Sequence, residues 1–161
     1  MPRRSTLLIL AFAALAAAGL AWTPPPIVTG SVSGAVTVVD GDTFRIGRES
    51  IRVDGIDAPE SGQACADGWQ AGAAARHALA GLLAAGRPDC ERVTTDRYGR
   101  TVAICRVNGE DIGAAMVRRG LAWSAYSVRY LPEEWLARFD GLGVHARKCA
   151  WPQDWRALHP H

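Results

Sequence analysis

The stretch CERVTTDRYGRTVAICRV, residues 90–107, leaves the chain least freedom. Two runs rich in β-branched residues flank DRYG, whose Asp and Gly favour a chain reversal. A hairpin is expected. With the turn centred between Arg97 and Tyr98, Cys90 and Cys105 are equidistant from it and oppose each other. Directly opposed Cα atoms lie about 4.5–5.5 Å apart, within disulfide reach. A Cys90–Cys105 bond is therefore expected, unless a bulge shifts the register by one residue. Cys65 and Cys149 then pair by elimination. No cysteine pair has the close spacing of a zinc site, and the histidines form no ligand pattern.

Disulfides suit an exported chain. The N-terminus reads MPRRSTLLILAFAALAAAGLAWTPPP, with two arginines, an apolar run from Leu7 to Trp22 and a triple proline. That is the layout of a signal peptide over residues 1–21, with a cut after Ala21. A Pro-rich linker follows over residues 22–30, then one folded domain over residues 31–161. The domain is expected to be secreted or periplasmic. A membrane anchor at the N-terminus is the alternative, although the run is slightly short for a span of about 20 residues. The whole chain carries 18 Lys and Arg against 16 Asp and Glu, and the leader takes Arg3 and Arg4 with it. The mature domain is thus neutral. A passive nucleic-acid binder relies on excess basic charge, so any anion site here is local.

Further along, residues 32–39 read as a strand. Residues 44–46 and 51–53 alternate apolar with arginine and read as a hairpin, with Phe44, Ile46, Ile51 and Val53 on the core face. Residues 67–86 read as a helix with Asp67 and Gln70 as its capping box and Gly86 as its stop. A short helix over residues 110–119 closes at Gly120, and a third starts at Pro132. The expected class is α+β, mainly β: a five-stranded OB-fold barrel with about three packed helices.

DGIDAPE, residues 54–60, is poor strand and poor helix material and reads as a turn holding several carboxylates. Asp42 and Asp57 are hard oxygen ligands suited to Ca²⁺. An EF-hand starting at Asp40 is excluded, because its fifth, sixth and twelfth positions would be Phe44, Arg45 and Ile51. Glu60 can act as a general base, and Pro59 stiffens the turn that aims it. Arg52 and Arg100 can each clamp two phosphate oxygens.

Four stretches stand together: VVDGDTFRI (38–46), IRVDGIDAPE (51–60), TDRYGRTVA (95–103) and RRGLAWSAY (118–126). Their spacing, with Arg52 five residues before Asp57 and Glu60 three further on, resembles the staphylococcal nuclease (thermonuclease) family from about Val36 to Ala137. The resemblance implies Ca²⁺-dependent hydrolysis of phosphodiester bonds in DNA or RNA, leaving 3′-phosphate ends. It implies the backbone carbonyl of Ala58 as a third metal ligand; the family's threonine there is alanine here. It implies nucleotide contacts from Arg97, Tyr98 and Tyr126, with single strands preferred, because tyrosine offers a stacking face. Val128 departs from the family's second tyrosine. The domain is expected to act as a monomer without a stable protein partner. The alternative function is a catalytically silent nucleic-acid-binding module of the same fold.

Overall fold

The structure is a computed structural model that describes residues 34–160. The expected leader and linker lie outside them. So do residues 32 and 33 of the strand expected over 32–39; of the rest, only Val36–Val38 forms a strand, β1.

A polar Gly47-Arg48 turn joins β2 (Thr43–Ile46) to β3 (Glu49–Val53), and the ladder sets Phe44 opposite Ile51. Both side chains are fully buried, as are Val53 and, almost, Ile46. Such a cross-strand pair adds roughly 0.2–1 kcal/mol beyond simple burial. The expected core face is the one observed. The chain then runs through the two-residue strand β4 (Ile56–Asp57), α1 (Ala71–Ala84), β5 (Pro88–Thr95) and β6 (Thr101–Val107). β3 and β6 pair in parallel, so the main sheet has the order β1-β2-β3-β6-β5. This is the five-stranded arrangement of an OB-fold, with β1 and β5 as the ends of the path.

Asn108 and Gly109, both at positive φ, turn β6 into β7 (Glu110–Asp111). Asp111 caps α2 (Ile112–Arg118) by accepting the Ala114 N–H. A second small sheet pairs β4 with β8 (Trp123–Ser124). After α3 (Leu131–Phe139) come a 3-10 turn (Gly143–His145) and α4 (Pro152–Leu158). The described residues thus hold four α-helices, against about three expected; α1 and α2 pack on the main sheet and α3 meets β8. No helix among the described residues is long and apolar enough to cross a membrane.

Three details differ from the sequence reading. α1 starts at Ala71, not at a capping box on Asp67. Asp67 is drawn elsewhere: its carboxylate accepts the Trp69 N–H and pairs with Arg147. Ile56-Asp57, inside DGIDAPE, is a strand because Ser124 and Trp123 give it a partner ladder that no local pattern announces. Finally, the hairpin loop spans three residues, Arg97 to Gly99, with Gly99 at φ +79. That alone would shift the register by one. A bulge between Arg92 and Thr94 shifts it back, and Cys90 faces Cys105 after all.

Both disulfides are present. Cys90–Cys105 has Cα atoms 4.1 Å apart and Cys65–Cys149 4.2 Å apart. The core contains Leu79 and Leu83 of α1, Met116 and Val117 of α2 and the inner faces of β2, β3 and β6. Burying one such side chain contributes about 1.5–3 kcal/mol. Around Cys65–Cys149 a second cluster forms with Trp123, Val144 and Trp69.

Candidate active site

A cavity of about 690 Å³ opens where β2, β3 and the 58–60 turn meet the β5–β6 hairpin. Asp42, Arg52, Ala58, Glu60, Arg97, Tyr98, Arg100 and Tyr126 all line it. Asp57 stands just behind the wall, 3% exposed.

Each element delivers its side chain for a local reason. Asp40 accepts the Asp42 N–H and folds the loop ahead of β2, turning Asp42 inward. Opposite Thr43 on the ladder, Arg52 points to that same side. Gly55, at φ +76, lets the chain reverse between β3 and β4. β4 then fixes Asp57 against Trp123, and the buried Pro59 leads to Glu60. Fully buried Gln63 closes the turn: its Oε1 accepts the Glu60 N–H at 3.1 Å, and its Nε2 donates to the Ala150 carbonyl at 2.7 Å.

Packing behind the site is close. A Cβ on Gly41 would lie 2.6 Å from the Ala75 Cβ and 2.7 Å from the Ala58 Cβ. One on Gly72 of α1 would lie 1.9 Å from the Glu60 carbonyl oxygen.

The polar groups form one continuous chain of alternating charge across the cleft. Asp96 accepts from Arg100 Nε at 2.7 Å, and Arg100 Nη1 lies 3.4 Å from the Thr43 hydroxyl. That hydroxyl donates to Asp42 Oδ1 at 2.8 Å. Arg52 bridges Asp42 at 2.6 Å and Asp57 at 3.0 Å. Arg156 continues the chain, donating to Asp57 Oδ2 at 3.2 Å and to Glu60 Oε1 at 2.5 Å.

Burial pushes the Asp42 carboxyl up to about 6, and the nearby Asp40 adds to this; Arg52 pulls the other way and only partly compensates. Burial also opposes charge on Arg52, yet Asp42 and Asp57 together hold it above the ordinary arginine value. Arg156 follows the same pattern, with Asp57 and Glu60 overcoming partial burial. Buried charges of this kind persist only when paired on every side.

The donor set suits a hard cation. Asp42 and Asp57 present carboxylates to one guanidinium, and Ala58 stands beside Asp42, whose Oδ2 accepts its N–H at 3.1 Å. Among the described residues no group of three or more His, Cys, Asp or Glu forms a ready-made metal cage. The carboxylate oxygens of Asp42 and Asp57 are hard donors of the kind that Ca²⁺ takes, and Ca²⁺ sites commonly fill further positions with water or substrate.

The outer rim is aromatic and basic. Tyr98 is 69% and Tyr126 75% exposed. Arg97 and Arg100 lie 4.8 and 5.5 Å from the Tyr98 ring centre, and Arg52 lies 5.7 Å from that of Tyr126. Tyr126 holds a positive φ of 64, a conformation that costs a non-glycine residue free energy and persists only where the surroundings hold it.

The structure thus brings Asp42, Arg52, Ala58, Glu60, Arg97, Tyr98, Arg100 and Tyr126 to one cleft, with Asp57 just behind its wall. Arg156 was not among the residues read from the sequence. A signal existed: Trp151-Pro152 followed by Asp154 is a helix start. Nothing local tied that helix to the Glu60 turn.

Comparison with known proteins fits this arrangement. Residues 50–150 match the family described as staphylococcal nuclease homologue. A succinoglycan biosynthesis protein, ExoI, of Rhizobium meliloti is 32% identical over 81% of this chain and 68% of its own length. The micrococcal nuclease of Shigella flexneri is 36% identical over 55% of each chain. An uncharacterized endonuclease of Haemophilus influenzae is 31% identical over 75% of this chain and 70% of its own.

Proposed function

The chain belongs to the staphylococcal nuclease family, and from that premise we propose that it is an exported, Ca²⁺-dependent nuclease that hydrolyses phosphodiester bonds of DNA or RNA to 3′-phosphate ends. The observation that carries this reading is the unbroken chain of charge from Asp96 to Glu60 along one cleft. Asp42, Asp57 and the Ala58 carbonyl are the assigned cation ligands. A Ca²⁺ ion held there would neutralise phosphate charge and lower the pKa of a bound water.

The chain's own side chains do the rest. Glu60, at the cleft wall on a turn stiffened by Pro59, accepts the proton of the attacking water. Arg52 and Arg100 reach the phosphate oxygens from the two sides of the cleft and hold the charge that grows on them, exchanging carboxylate partners for phosphate. Arg97, Tyr98 and Tyr126 meet the flanking nucleotides by charge and stacking.

Export agrees with two disulfides in one small domain. The domain division proposed is leader 1–21, linker 22–30 and catalytic domain 31–161.

Incubation of the mature domain with single-stranded DNA tests the reading. Cleavage is expected in Ca²⁺ and its loss in excess chelator, with products resistant to extension until a 3′-phosphatase is added. Full activity in chelator would remove the cation from the mechanism. Retention of the strand without cleavage would make the domain a binding module.

A further inference from the structure

Arg156 closes the chain of charge at Glu60, yet the scheme above gives it no part in binding or chemistry, although it contacts both carboxylates that the scheme needs on the turn. Its Nη1 lies 2.5 Å from Glu60 Oε1 and 3.4 Å from Asp57 Oδ1, and its Nη2 lies 3.2 Å from Asp57 Oδ2. Asp57 Oδ1 also accepts from Arg52 at 3.0 Å. Both oxygens of a nearly buried carboxylate are thereby taken by guanidinium groups.

The placement is built, not incidental. Cys149 is bonded to Cys65, and the Ala150 carbonyl receives the Gln63 amide. Trp151 stacks on Trp123 at 5.3 Å, and Pro152 is fully buried. One turn of α4 beyond that anchor puts Arg156 over the cleft.

We propose that Arg156 is a tethered cation that occupies the Asp57–Glu60 carboxylate pair, so that a divalent cation binds the site in competition with it. The inference rests on the cation-site reading above. Its physical basis is charge count. Asp42, Asp57 and Glu60 face Arg52 and Arg156, leaving one net negative charge where a site without Arg156 has two. Calcium affinity follows ligand charge and rigidity, and a cation pays like-charge repulsion to approach a neighbouring guanidinium.

Calorimetric titration of the disulfide-intact domain with CaCl₂, without nucleic acid, is the test. Arg156→Gln is expected to bind Ca²⁺ about tenfold more tightly than wild type. Arg156→Lys, which keeps the charge, should stay within about threefold of wild type. Thermal melting in chelator should show Arg156→Gln folded, and Ca²⁺ should raise its Tm by more than it raises that of wild type. Equal or weaker Ca²⁺ binding by a folded Arg156→Gln overturns the inference while leaving the cation site standing. Absence of Ca²⁺ binding by all three proteins overturns both. Should Arg156→Gln not fold, the guanidinium NMR signal of Arg156 in wild type decides: a shift on Ca²⁺ titration supports displacement, and an unmoved signal refutes it.

Discussion

The two walls of the cleft are held in different ways. The Asp57–Glu60 wall is tied to a distant segment, through a disulfide spanning 84 residues and a Gln63–Ala150 bond spanning 87. The opposite wall, the β5–β6 hairpin, joins its neighbours along the β3–β6 ladder and through Arg92–Glu49, but its tip is closed by contacts within its own loop. Its disulfide spans 15 residues and sits away from the tip, where Tyr98 stands exposed. The difference is a division of labour. Groups that must keep fixed positions relative to one another are stapled from outside. The groups proposed to meet a nucleotide stand on a tip shaped by its own loop, with Asp96 accepting the Tyr98 and Arg100 N–H groups.

The sharpest contrast comes from the chemistry of each wall. Glu60→Gln keeps shape and removes the base, and is expected to lower kcat by about 10² to 10⁴ without changing the circular-dichroism spectrum. On the hairpin, Arg100→Ala should lower kcat by about 10² to 10³. Single-turnover cleavage measures both, and near wild-type rates for either would take that residue out of the reaction.

Cutting the two staples separates the walls further. Losing Cys65–Cys149 should cost about 4–5 kcal/mol in the chain-entropy model, and losing Cys90–Cys105 about 3. Urea melts of the paired Cys→Ser variants give the two values. The first variant should also lose activity at temperatures where it remains folded, because Glu60 loses its outside support. The second should keep kcat there. A reversed order would mean that the hairpin, not the distant segment, sets the active geometry.

Tyr98→Ala is the mildest break. It removes a stacking face worth about 1–3 kcal/mol per base. A rise in KM with kcat unchanged is expected, read from initial rates on a short single strand. A fall in kcat alone would assign Tyr98 to the reacting phosphate instead.

The same division explains what the sequence could disclose. The hairpin was legible because its signals are local: β-branched runs, turn residues, and two cysteines at matched distances. Its register nonetheless came out right through two departures that cancel, a longer loop and a bulge, and neither has a clear residue signature. The alternating apolar positions of β2 and β3 announced the core face, and with it the side on which Arg52 lies. By contrast, β4 and β8 have two residues each, too few for any period to show. The grip of Arg156 on Glu60 depends on an anchor assembled from Cys149, Ala150 and Trp151. Each of those contacts is long-range, so the residue was visible while its role was not.

The contact between Gly72 and the Glu60 carbonyl carries a lesson for protein engineering. Replacing a helical glycine by alanine is a routine thermostabilising change, gaining about 0.5–1 kcal/mol at a compatible site. α1 offers two such positions to anyone ranking substitutions by helix propensity. At Gly81 an added methyl meets nothing within 4 Å, and the gain should be realised. At Gly72 the methyl would drive into the turn that aims the base. A ranking on helix propensity alone would treat the two as equivalent, yet only the Gly81 change leaves the backbone around Glu60 undisturbed.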